Sequence, residues 1–164
     1  DPPAAFNRPL NNPKKEETMK TKEQIAFDFL RRHEGLRLSA YKCTGGVSTI
    51  GYGHTGADVL PGMTITREQA EQLLREDISH AAQAVDTLIT ASLTPCQWAA
   101  LVSFTFNVGA GALRDSTLRR VVNHDPNDRE AISRELRRWT RSGGRVTPGL
   151  VTRREDEIKL YFEL

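Results

Sequence analysis

The run His33-Glu34-Gly35-Leu36-Arg37-Leu38-Ser39-Ala40-Tyr41-Lys42-Cys43 continues directly into Thr44-Gly45-Gly46-Val47-Ser48-Thr49-Ile50-Gly51-Tyr52-Gly53-His54-Thr55. Its character changes at Gly35. Upstream, Thr21 followed by Gln24 is a capping box that opens a helix. Ile25 with Phe29, and Ala26 with Leu30, repeat at i,i+4 as its buried stripe. Gly35 is expected to stop that helix, which leaves Glu34 in its last turn. Downstream, Leu38, Tyr41, Val47, Ile50 and Tyr52 alternate with Gly45, Gly46, Gly51 and Gly53. That pattern predicts a β-hairpin or small sheet turning near Thr44-Gly45-Gly46.

Further along, Pro61-Gly62 marks a turn, and Thr66 with Gln69 forms a second capping box. The helix it opens is predicted to reach Ile89, about 30–35 Å at 1.5 Å per residue. Thr94-Pro95-Cys96-Gln97 is a third start signal, with proline at the first helical position. From Trp98 to Val108 the chain is apolar on nearly every side, so this helix belongs inside a core, and Gly109 stops it. Helices are also predicted at about 116–123, 128–140 and 148–162. The architecture is then α+β and two-lobed: a small lobe over 21–65, a connecting helix over 66–89 and a helical lobe over 90–164. The cleft between lobes is the expected ligand site. Residues 1–20, rich in Pro, Asn and Lys, read as a linker or tail.

Composition bounds the classes. The 164 residues carry a net charge of +2, with 38% hydrophobic and 27% charged residues, a globular profile. No apolar run approaches the length of a membrane span, and no signal peptide opens the chain. Two cysteines, Cys43 and Cys96, make no disulfide framework. Arg134, Arg137, Arg138, Arg141, Arg145, Arg153 and Arg154 crowd the last third. Such a face attracts nucleic acid, acidic lipid or an anionic wall polymer. Interleaved Glu130, Glu135, Glu155 and Glu157 favour an ordinary solvated face, and no nucleic acid partner is expected.

Glu34 carries the chemistry. The negative end of a helix dipole disfavours a charged carboxylate, so Glu34 is expected to hold its proton unusually well. Such an acid can protonate a leaving oxygen. The bland alternative is a surface glutamate paired with Arg31 or Arg37, and spacing leaves both open.

The whole stretch resembles the phage-type lysozymes. The Glu34-Gly35 step, Ala40-Tyr41 and Thr49-Ile50-Gly51-Tyr52-Gly53-His54-Thr55 carry the likeness. Leu93-Thr94-Pro95 with Gln97, Ser103-Phe104, Phe106-Asn107-Val108-Gly109, Ser116-Thr117-Leu118, Trp139, Gly149-Leu150-Val151 and Arg153-Arg154 extend it over about 22–164. The family pattern is Glu, an acidic residue nine positions on, and Thr six beyond. Carried over, it falls on Glu34, Cys43 and Thr49. The resemblance implies Glu34 as general acid, the second residue steadying the cationic sugar and orienting water, and Thr49 helping to hold that water.

This chain departs from the pattern at Cys43, where the family usually has Asp. A thiol is mostly neutral at pH 7. As a thiolate it could serve as base for water or attack the sugar itself. Two other readings stand beside this: redox control through pairing with Cys96, and Cys96 as a small core residue. His54 has three: a metal ligand, a partner of Cys43 in a peptidase, or a structural histidine held by Asp77 or Glu76, as the family implies. Tyr41, Tyr52, Gly53, Phe104 and Asn107 are candidate substrate contacts, with Trp139 alongside. For Phe104 the competing reading is core, and for Asn107 a helix cap.

The expected function is therefore hydrolysis of the β-1,4 bond between N-acetylmuramic acid and N-acetylglucosamine in peptidoglycan. No metal or cofactor is implied. Peptidoglycan glycan strands are the expected partner. The rivals are a lytic transglycosylase, a degenerate wall-binding module and a Cys43–His54 peptidase. Action in the bacterial periplasm or cell wall is expected from a monomer without membrane insertion. Delivery would use a holin or carriage in a larger secreted protein, whose producer would need an immunity protein.

Overall fold

The computed structural model describes residues 19–43 and 45–164. Residues 1–18 of the expected tail, and Thr44 of the expected turn, lie outside the described residues.

The first helix, α1 (Lys22–His33), begins where the capping box places it. Thr21 Oγ1 accepts the Gln24 amide at 3.2 Å, and the Gln24 side chain accepts the Thr21 amide at 2.9 Å. Its buried face is Ala26, Phe29 and Leu30. The predicted glycine stop is corrected. Glu34 itself is the cap, with φ −93° and ψ 61°, and its amide donates to Leu30 O at 2.8 Å. Gly35 is not in the left-handed region, so it plays no special terminating part.

Three antiparallel strands follow in the order β1 (Arg37–Lys42), β2 (Ser48–Gly51) and β3 (His54–Thr55). Tyr41 pairs with Thr49 and Lys42 with Ser48, so β1 and β2 form the expected hairpin. Cys43 stands just past β1, where its amide donates to Val47 O at 3.0 Å and its carbonyl accepts from Gly46 at 2.8 Å.

The connecting helix α2 (Arg67–Leu88) has 22 residues, about 33 Å long, and starts at the Thr66–Gln69 box. The central helix α3 (Pro95–Val108) is buried continuously from Gln97 to Thr105 and is stopped by Gly109 at φ +94°. It packs against α1, α2 and α7. The sequence reading missed α4 (Ala110–Asp115), six residues interrupted by Gly111. α5 (Thr117–His124) starts from Ser116 and α6 (Arg129–Arg137) from Asp128. The helix expected to reach 140 ends at Arg137. The chain then makes a small hairpin, β4 (Arg141–Ser142) with β5 (Arg145–Val146), before α7 (Pro148–Tyr161).

His54 ties the sheet to α2. Its Nδ1 lies 2.8 Å from Asp77 Oδ2, and its Nε2 lies 3.0 Å from Asp58 Oδ2. Burial alone would lower its proton affinity, but hydrogen bonds from Asp77 and Asp58 outweigh it and raise the pKa above the ordinary 6.5. A raised histidine pKa contributes stability that is whole below the unfolded value. It is lost as pH climbs through the folded value. The free energy of unfolding contributed by His54 is therefore expected to fall from pH 6 upward. Urea titrations of parent and His54→Gln at several pH values check this: the gap between the two should shrink as pH rises.

Candidate active site

Glu34 projects from the end of α1 with its side chain 21% exposed. Its Oε1 accepts Arg153 Nη1 at 2.5 Å, from α7 and 119 positions away in the chain. Oε2 faces Gly53 in the turn between β2 and β3. A Cβ on Gly53 would sit 3.0 Å from that oxygen, and its φ of +77° is one that L side chains rarely adopt. Glycine here satisfies both demands and leaves the acid reachable.

Behind Arg153 lies a buried charge cluster. Its Nη2 donates to Ser103 O at 3.2 Å, and its Nε lies 3.6 Å from Glu157 Oε2 without a hydrogen bond. Glu157 is fully buried and accepts Ser103 Oγ at 2.6 Å and the guanidinium of Arg154. Arg154 also donates to the Asn107 side chain and, through Nε, to Trp139 O at 2.8 Å. Next to Glu34, His33 lies 3.3 Å from Asp156 and stacks on Phe29 with ring centres 4.4 Å apart. Burial first, then the charge of Arg153, hold its pKa below 6.5 in spite of Asp156.

Cys43 is half-buried and free. Hydrogen bonding from the backbone at Gly45 and Val47 lowers its pKa, against burial, and the Thr49 hydroxyl adds to the effect. Thr49 is 4% exposed and its Oγ1 donates to Val47 O at 3.1 Å. The hairpin thus brings Cys43 and Thr49 together. Cys96 opens α3 half-buried, with its thiol pushed up by burial and then by Glu163.

The predicted sugar contacts divide. Gly53 adjoins Glu34. Tyr41 is half-buried, with the Arg37 guanidinium 4.7 Å from its ring centre. Asn107 is exposed as a residue but gives its carbonyl oxygen to Arg154. Phe104 has no exposed surface, because it is wedged edge-on against Trp139 at 5.5 Å with Arg154 over its face. Tyr52, 5% exposed, belongs to the same core. Neither offers a ring to a sugar, which corrects both expectations.

A depression of about 260 Å³ beside Gly53 is lined by residues that had not been proposed as substrate contacts, among them Thr55, His80 and Phe106. The larger groove of about 1150 Å³ runs along α1 and α2 over Phe27 and Trp98 and holds none of Glu34, Cys43 and Thr49. Arg153 and Glu157 were also missed as a pair, although their i,i+4 spacing on one helix was a signal. Both nitrogens of His54 face carboxylates, leaving neither for the Cys43 thiol. Among the described residues no group of three or more His, Cys, Asp or Glu side chains is arranged to hold a metal ion.

A carboxyl group at a helix end above a glycine turn, with a small sheet leaning on a helical body, defines a lysozyme-like architecture. The muramidase domain of SpmX from Asticaccaulis excentricus superposes with TM-score 0.77 at 34% identity, over 85% of this chain and 95% of that one. A family model for phage lysozymes matches residues 31–157, and the chain belongs to that family. An endolysin of Bacillus phage B103 is 44% identical over 141 residues, 85% of this chain. A SAR-endolysin of bacteriophage PS119 is 43% identical over 76% of this chain and 73% of its own. The chain spans about half the length (53%) of the B103 relative.

Proposed function

We propose that the chain hydrolyses the β-1,4 bond between N-acetylmuramic acid and N-acetylglucosamine in peptidoglycan. The observation that carries this is the Glu34 carboxyl, held by Arg153 on one oxygen and facing the side-chain-free Gly53 on the other. Glu34 gives its proton to the bridging oxygen as the bond to the sugar breaks. Cys43, on the hairpin with Thr49, positions and activates the water that adds to the sugar. A depressed thiol pKa suits a base for that water. The names borne by relatives, endolysin and muramidase, support the same substrate.

Action takes place at the cell wall, on a monomer's cleft, with glycan strands as partner. Delivery is by a holin or within a larger exported protein; in the second case an immunity protein covers the cleft. No helix among the described residues is long and apolar enough to cross a membrane.

The test is digestion of purified peptidoglycan with reducing ends and free amino groups counted separately. The proposal expects reducing ends to rise and amino groups to stay level. A rise in amino groups alone would mean a peptidase, and neither rising would mean a binding module or, if the strands still shorten, a lytic transglycosylase whose anhydro ends do not reduce. Cys43→Ala is expected to lose roughly 100-fold or more in the same assay, as for a group that assists proton transfer from water. Parental speed in that variant would remove Cys43 from the mechanism.

A further inference from the structure

The glutamates interleaved with the arginines of the last third were expected to dilute their charge. The fold withdraws two of them from the surface: Glu135 is 7% exposed and Glu157 is fully buried. The arginines of α6, Arg129, Arg134 and Arg137, all stay exposed. They fall on one face of that helix and line a groove of about 550 Å³ with Glu130, Ser133 and Ile158 of α7. Three guanidiniums converge here. Among the described residues, the groove over Phe27 is lined by one arginine, Arg75, and the depression beside Gly53 by none.

Each of the three keeps donors free. Arg129 lies over the Phe162 ring at 4.8 Å, a contact that steadies the guanidinium through its face and uses none of its N–H groups. Arg134 comes only to 3.8 Å from Glu135, without a hydrogen bond. Arg137 gives Nε and Nη2 to Glu155, which leaves Nη1. Between them Ser133 is 6% exposed, and its hydroxyl has no hydrogen-bond partner among the described residues.

Planar guanidinium edges and a neutral hydroxyl donor around one groove suit the oxygens of a phosphate group. From Arg129 to Arg137 the groove follows α6 for about 12 Å, longer than a single phosphate needs. None of the large exposed apolar side chains belongs to α6, so this face offers nothing to insert into a lipid layer. We propose that the groove binds the phosphodiester backbone of a polyol-phosphate wall polymer. It shares no residue with the Glu34 site, so it holds the wall at a second place. The choice of a wall polymer rests on the function proposed above.

The probe is soluble poly(glycerol phosphate), with binding measured by calorimetry at physiological ionic strength. Its backbone has no glycosidic bond, so the readout does not depend on hydrolysis, which peptidoglycan digestion decides separately. The parent is expected to bind the polymer, and excess inorganic phosphate to displace it. Arg129→Gln/Arg134→Gln should bind roughly tenfold more weakly, the scale of two exposed ionic contacts. Arg67→Gln/Arg75→Gln, which removes the same charge from α2, should stay within about twofold of the parent, since distant charges are screened. Equal losses in the two double variants would mean diffuse attraction and overturn the groove. So would a parent that does not bind the polymer, or one that binds phosphatidylglycerol vesicles more tightly than the polymer.

Discussion

Glu34→Gln is expected to lower the release of reducing ends from peptidoglycan by at least 10²–10⁴-fold, the usual worth of general acid catalysis. The amide keeps the shape of the side chain and an oxygen to accept from Arg153, so the packing at the end of α1 persists. What it lacks is the transferable proton. Thermal unfolding should therefore stay near the parent's while activity collapses. The measurement is reducing-end release under saturating peptidoglycan, beside a melting curve for each protein. A variant of parental activity would mean that the proton comes from elsewhere.

The second large effect concerns stability. Glu157→Leu is expected to cost about 3–5 kcal/mol of unfolding free energy, the penalty for stranding buried charge. Glu157 is the acid between two buried arginines: it binds Arg154 and Ser103 and faces Arg153 Nε. Without it, Arg154 retains only the Asn107 amide oxygen and the Trp139 carbonyl. Burial already disfavours the charged form of Arg154, and Glu157 opposes that. The exposed Arg137–Glu155 pair, closed at 2.7 Å, is the contrast: Glu155→Leu should move stability by no more than about 1 kcal/mol. Urea unfolding of the three proteins compares them, and equal midpoints for Glu157→Leu and the parent would show that the cluster contributes nothing net.

Features decided within a few residues were legible in advance. The Thr-x-x-Gln boxes at Thr21 and Thr66 close as read, and the start signal at Thr94 closes as a third box, because the hydrogen bonds involved reach only from one residue to the third after it. The Trp98–Val108 helix was legible as core from its apolarity alone. Gly143-Gly144 was a hairpin signal left unread: both residues take the positive φ that a tight two-residue turn demands. Helix α4 gave little signal, being six residues long around a glycine.

The site divides in the same way. Cys43 and Thr49 share one hairpin, so their closeness follows from local pairing, whereas grouping Glu34 with them came from the family resemblance. Arg153 reaches Glu34 across 119 positions, and the packing of both α7 and α1 on α3 brings the two together. Phe104 and Phe106 are alike in sequence, but the turn of α3 buries the first and leaves the second lining the depression by Gly53.

The most direct measurement is the mass of the glycan fragments made in water enriched in heavy oxygen. A hydrolase with Glu34 as acid leaves each new muramic acid end as a free sugar carrying one labelled oxygen. Fragments lighter by one water and free of label, the mark of an internal anhydro ring, would contradict the account.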